Sequence, residues 1–208
     1  MKSLANLMSS QVRIRGFYML LALITMPSCL YASATDSGQK KANICTECHS
    51  IDGTTPDPIV PKLNGQNKDF LYKQTMQYVT GKRFDTVMGK VINKIKPSTE
   101  DISDIAAYYA SLPIMSGNKI LSAEGISGKA IFISKKCNFC HNDADRSVEI
   151  QVKKTVVIGG QNKAYLFKSL KDIQEGIRMA DAYNLMQRVL KKMTDDEIND
   201  VSDYLSTL

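Results

Sequence analysis

The sequence predicts an all-α protein built from two similar domains in tandem. Three observations carry that prediction. A set of short motifs occurs twice in the same order, the apolar residues closing each half recur at helical spacing, and no run reads as a strand pair with a hairpin turn. The chain has 208 residues, room for one large domain or two small ones. Hydrophobic residues make up 43% of it and charged residues 23%, a globular balance that excludes an intrinsically disordered chain.

The N-terminal segment stands apart from the repeat. Lys2, Arg13 and Arg15 form a basic region, Gly16 to Met26 an apolar stretch of eleven residues, and Ala32-Ser33-Ala34 a small-residue cleavage site. That pattern predicts a secretory signal peptide over 1–34 and export to the bacterial periplasm. Eleven apolar residues fall short of the roughly 20 that a spanning helix needs. An uncleaved anchor and lipidation at Cys29 stay open, although Met26-Pro27-Ser28 makes a poor lipoprotein box. Removing 1–34 lowers the net charge from +6 to +3, because the segment holds three basic and no acidic residues. The remaining lysines come as scattered doublets rather than a stripe, which gives no support to nucleic-acid binding.

Each half then runs through the same elements. Cys45, Cys48 and His49 recur as Cys137, Cys140 and His141; Gly65-Gln66-Asn67-Lys68 recurs as Gly160-Gln161-Asn162-Lys163; and Gly81-Lys82-Arg83 recurs as Gly176-Ile177-Arg178. Asn67 and Asn162 are expected N-caps, and Gly81 and Gly176 expected stops, of two matching helices. The last helix of each half opens on a capping-box pattern, Ser98 with Asp101 and Thr194 with Glu197. Its apolar stripe is Ile102, Ile105, Tyr109 and Leu112 in the first half and Ile198, Val201, Leu205 and Leu208 in the second. The join falls within Pro113 to Ser127, giving domains at 35–115 and 116–208. Halves this small bury a limited apolar area, and a large apolar cofactor in each core would relieve that.

The chain has only two histidines, and each directly follows a Cys-x-x-Cys. Cys-x-x-Cys-His is the attachment pattern of c-type haem. Two cysteines three apart can each form a thioether to a vinyl group, and the histidine then faces the iron. A thioredoxin-type dithiol would not explain a histidine in both copies. A zinc site needs four ligands where each cluster offers three, and a ribbon pooling both pairs would span an untypical 88 residues between Cys48 and Cys137. The sixth ligand cannot be histidine, since both are used. Ten methionines remain, and a thioether ligand favours ferrous iron and raises its potential. Met88 and Met186 pair across the repeat if the second half carries three extra residues. Met179 is the main rival, although it aligns with Phe84 and Met76 with Lys171, so neither has a counterpart, and Met193 aligns with Ile95. Arg83 and Arg178 could pair with haem propionates or be solvated helix ends. Tyr72, Tyr78, Tyr108, Tyr109 and Phe132 are expected to pack the pockets.

Two Cys-x-x-Cys-His domains, each followed by Gly-Gln, a helix ending Gly-x-Arg and a late methionine, resemble the dihaem class I cytochromes c of the c-four type. The resemblance runs from about Gly38 to Leu208. It implies two tandem class I cytochrome c domains, each wrapped round one covalent haem c. Cys45, Cys48, His49 and Met88 would serve the first haem, and Cys137, Cys140, His141 and Met186 the second. It further implies a periplasmic carrier of single electrons, with redox proteins as partners: a donor such as a cytochrome bc complex and an acceptor such as a terminal oxidase. A peripheral contact with the membrane is compatible with that role. The sequence departs from the family in one place. Pro61 matches a proline whose carbonyl often accepts the proximal histidine's ring N–H, whereas Val156 stands there in the second half. The two haems are therefore expected to differ in potential. Four ionised propionates would bring the exported chain to a net charge of about −1, so partners should dock through local patches rather than long-range steering. Two rivals remain: the haem subunit of a periplasmic dehydrogenase such as a flavocytochrome sulfide dehydrogenase, and an enzyme or gas sensor with an open haem site. No catalytic acid, base or nucleophile is assigned.

Overall fold

A computed structural model describes residues 28–52, 54–117, 120–141, 156–180 and 183–208. The predicted signal peptide lies outside the described residues as far as residue 27, as does the Lys153-Lys154 doublet. The first half holds α1 (Ser28–His49), α2 (Lys68–Val79), α3 (Thr86–Ile95) and α4 (Thr99–Ser111). The second holds α5 (Ala123–Ser134), a 3-10 turn at Cys137–Phe139, α6 (Lys163–Gln174), α7 (Leu185–Leu190) and α8 (Asp195–Ser206). There is no strand among the described residues, and none of their helices is long and apolar enough to cross a membrane.

Local chemistry sets most of the helix boundaries. Both predicted capping boxes form: Ser98 and Asp101 exchange side-chain and backbone bonds at the start of α4, and Thr194 and Glu197 do so at α8. Helices α2 and α6 stop where glycine takes up a left-handed backbone, Gly81 at φ 68° and Gly176 at φ 80°. Asn67 caps α2, its Oδ1 accepting the Phe70 N–H at 2.9 Å. Asn162 holds the same position before α6 but makes no side-chain cap bond. Its amide instead donates across to the first half, to Thr55 Oγ1 at 2.6 Å and the Val60 carbonyl at 2.8 Å. The expected cap is thus spent on joining the halves.

Each half closes by crossing its first and last helices. In the first, α1 lies on α4 with Gly38 against the Asp104 carbonyl; in the second, α5 lies on α8 with Gly128 against the Asp200 carbonyl. A side chain at either glycine would hold the helices apart. The apolar stripes face inward as their spacing requires. Ile102 and Tyr109 are buried in the first half, and Ile198, Val201 and Leu205 in the second. One core gathers Ala42, Leu71, Ala106, Tyr108 and Tyr109, and the other is built round Phe132, Leu166, Ile173, Tyr204 and Leu205. Tyr72 packs partly buried against the first core. Tyr78 does something else: the Arg83 guanidinium lies 4.7 Å over its ring.

The segment after α4 threads between the two Gly-Gln loops. Gly65 and Gly160 hold φ at 65° and 77°, and a Cβ at either would meet this segment, at Ile114 and at the Met115 carbonyl respectively. Met115 itself is 1% exposed.

Candidate haem-binding sites

The last turn of α1 presents Cys45, Cys48 and His49, and the 3-10 turn after α5 presents Cys137, Cys140 and His141. In each pair the first cysteine is half-buried against its own core, and the second is exposed. All four are free thiols. Burial pushes the Cys45 and Cys137 thiols up from their ordinary pKa.

Each histidine is fixed by a carbonyl. His49 Nδ1 lies 2.8 Å from the Pro61 carbonyl oxygen, and His141 Nδ1 lies 3.3 Å from that of Val156. A carbonyl can only accept, so Nδ1 carries the proton and the Nε2 lone pair is left for a ligand. Burial lowers the pKa of both rings against the raising effect of these bonds, so each is a neutral imidazole. The Val156 carbonyl thus supplies an acceptor in the proline's place, through a longer bond than Pro61 makes.

The methionines separate by burial. Met88 is half-buried in the first turn of α3, after the Asp85 N-cap whose carboxylate accepts the Met88 N–H at 2.9 Å. Met186 is half-buried in the first turn of α7, against the same core that Cys137 joins. Met179 is 56% exposed, and Met193 is a core residue at 7%. The structure brings Cys137 and Met186 onto one cluster, but it does not place Met88 on the cluster that Cys45 joins.

The repeated arginines meet each other. Arg83 Nη1 and Arg178 Nη2 each donate to Gln74 Oε1 at 2.8 Å, and both guanidiniums approach the Tyr165 hydroxyl at 3.4–3.5 Å. Arg178 is only 7% exposed, which removes the solvated reading for it. Burial would raise the Tyr165 pKa, but Arg178 and Arg83 outweigh it and bring the phenol down to about 8. Arg178 has no ion pair to a carboxylate among the described residues. Two clustered cations, one buried, are an unfavourable arrangement that an anion would relieve. The donor set as a whole fits a haem: paired free thiols, a neutral imidazole with a free Nε2, half-buried thioethers, and a cationic pair suited to propionates.

Sequence reasoning missed the residues that join the two sites. From Pro61 to Arg83 each position has its counterpart 95 residues on, and the halves meet through a reciprocal exchange. The Lys62 N–H donates to Gln161 Oε1 at 2.9 Å, and Gln161 Nε2 donates back to the Lys62 carbonyl at 2.9 Å. The Val157 N–H donates to Gln66 Oε1 at 2.9 Å, and Gln66 Nε2 donates back to the Val157 carbonyl at 2.7 Å. Lys62 Nζ adds bonds to the Ser116 and Gly160 carbonyls at 2.9 Å. The recurrence of Gly-Gln was the available signal.

An all-helical fold carrying Cys-x-x-Cys-His with a carbonyl-anchored histidine defines a c-type cytochrome. The cytochrome c family profile matches residues 126–208. Cytochrome c4 of Pseudomonas aeruginosa is 34% identical over 179 residues, 83% of this chain and 87% of that protein. The crystal structure of reduced recombinant cytochrome c4 from Pseudomonas stutzeri superposes with a TM-score of 0.72 at 30% identity, covering 84% of this chain and 98% of that one. A thiosulfate dehydrogenase electron acceptor of Stutzerimonas stutzeri is 24% identical, with 80% of each chain covered. The chain belongs to the cytochrome c4 family, whose members bind haem c and transfer electrons rather than act as enzymes.

Proposed function

We propose that the exported chain is a periplasmic dihaem carrier that delivers single electrons to a terminal oxidase in a respiratory chain. The observation that carries this reading is the doubled site, in which a Cys-x-x-Cys-His presents a half-buried neutral imidazole anchored through Nδ1. Cys45 and Cys48 hold one haem and Cys137 and Cys140 the other, in domains dividing at 115/116. His49 and His141 would each give the iron a ring nitrogen, and Met88 and Met186 a thioether sulfur. When bound, haem supplies one-electron chemistry at iron, with a potential raised by thioether ligation. The chain contributes the rest. The carbonyls of Pro61 and Val156 orient the imidazoles, and Arg83 and Arg178 would hold propionates.

The Met186 assignment is supported by burial, since Met179 is mostly exposed. The likeness to a thiosulfate dehydrogenase electron acceptor favours a second reading, in which the same carrier takes its electrons from a periplasmic dehydrogenase of that kind rather than from a bc-type complex. The intact mass and N-terminal sequence of the exported protein test the proposal. Two added haems on a chain beginning at Thr35 are expected, and a single haem or a retained leader would overturn it. Mixing the reduced protein with a terminal oxidase, and the oxidised protein with a thiosulfate dehydrogenase, separates the two readings.

A further inference from the structure

We infer that Gln161 and Gln66 are positioning residues that tune the proximal ligand of the opposite domain. The inference rests on the reading that each domain holds a haem. The peptide joining Pro61 to Lys62 has both ends engaged. Its carbonyl accepts from His49 Nδ1 at 2.8 Å, and its N–H donates to Gln161 Oε1 at 2.9 Å. The peptide joining Val156 to Val157 repeats this, with His141 Nδ1 at 3.3 Å on its carbonyl and Gln66 Oε1 at 2.9 Å on its N–H.

A peptide is a resonant unit. An acceptor on its N–H draws the proton away, places more negative charge on its oxygen, and makes that oxygen a better acceptor. The better acceptor pulls harder on the imidazole Nδ1 proton, which makes Nε2 a stronger donor and favours the ferric state. Gln161, 5% exposed on the second domain, therefore acts on the haem of the first, and Gln66, 5% exposed on the first, acts on the haem of the second. Each glutamine is kept in register by its own loop, where its Oε1 also accepts the N–H of the next residue, Asn67 at 2.8 Å or Asn162 at 2.9 Å. Docking of the domains becomes part of what sets both potentials.

The test uses the haem-loaded full chain and the near-isosteric changes Gln161→Met and Gln66→Met. The two haems are told apart by their hyperfine-shifted proton signals. Gln161→Met should raise the potential of the His49 haem alone, and Gln66→Met that of the His141 haem alone. A change of up to about tenfold in the one-electron equilibrium constant, about 59 mV, is expected. A shift confined to the haem of the substituted domain, equal shifts at both, or no shift would overturn the inference. In the unsubstituted protein the amide protons of Lys62 and Val157 should exchange slowly, and fast exchange at either would contradict the clasp without any variant. The intact mass reports the haem count independently, so a single-haem protein would refute the dihaem reading rather than the tuning.

Discussion

The crossing of α5 on α8 makes a sharp prediction for Gly128. A Cβ built there would lie 2.0 Å from the Asp200 carbonyl oxygen, 2.4 Å from its carbon and 2.9 Å from the Val201 nitrogen, where ordinary contact begins at 3.4 Å. These are backbone atoms of a helix and cannot rotate away, so Gly128→Ala must part the two helices. Overpacking costs typically about 1–3 kcal/mol, and a clash with backbone on this scale belongs at the top of that range. The better helix propensity of alanine returns about 1 kcal/mol. The net loss is about 2 kcal/mol, which lowers the melting temperature of a domain this size by about 8–16 °C. Gly89 is the control. It also lies within a helix, α3, but a Cβ there meets no atom of the described residues within 4 Å, so Gly89→Ala should stabilise by about 0.5–1 kcal/mol. Thermal and urea unfolding of the haem-loaded variants measure both. Gly128→Ala melting at or above the unsubstituted protein, or the two variants shifting alike, would refute the close-crossing argument.

Other predictions concern ligation and acid stability. Met186→Ala should leave both haems attached in the intact mass and lower the potential of one of them; an unchanged potential would remove Met186 from the assignment. Asp203 is held below the usual carboxylate range by Lys163 and by the Ser122 hydroxyl. Because its folded pKa is depressed, its contribution is complete above the unfolded value of about 3.9 and fades as pH falls through the lower folded value. Asp203→Asn should therefore lose stability at neutral pH and show a flatter loss as pH falls below about 4. Urea midpoints at pH 7 and pH 3 that run parallel to those of the unsubstituted protein would contradict this.

Much of the fold was legible because the signals that set it are local. A capping box spans four residues, a stripe such as Ile102, Ile105 and Tyr109 repeats each turn, and Cys-x-x-Cys-His carries its chemistry in five positions. Repetition then turned each weak signal into a paired one, as with Gly81 and Gly176. What the sequence hid depends on partners far along the chain. Gln161 reads locally as a polar loop residue, and only the folded chain brings it to Lys62, 99 positions away. Asn162 kept the look of an N-cap while its amide served the other half. Arg83 and Arg178 were visible as a repeated pair, but their convergence on Gln74 and Tyr165 follows from how the halves dock. Gly38 and Gly128 matter through helix crossings, which leave no mark at a single glycine.

An optical redox titration of the purified haem-loaded protein tests the central claim most directly. Two low-spin, one-electron steps at positive potential are predicted, with neither reduced haem binding carbon monoxide. A high-spin or low-potential step, or a haem that takes up carbon monoxide, would contradict methionine ligation at that site and with it the assignment of a two-haem electron carrier.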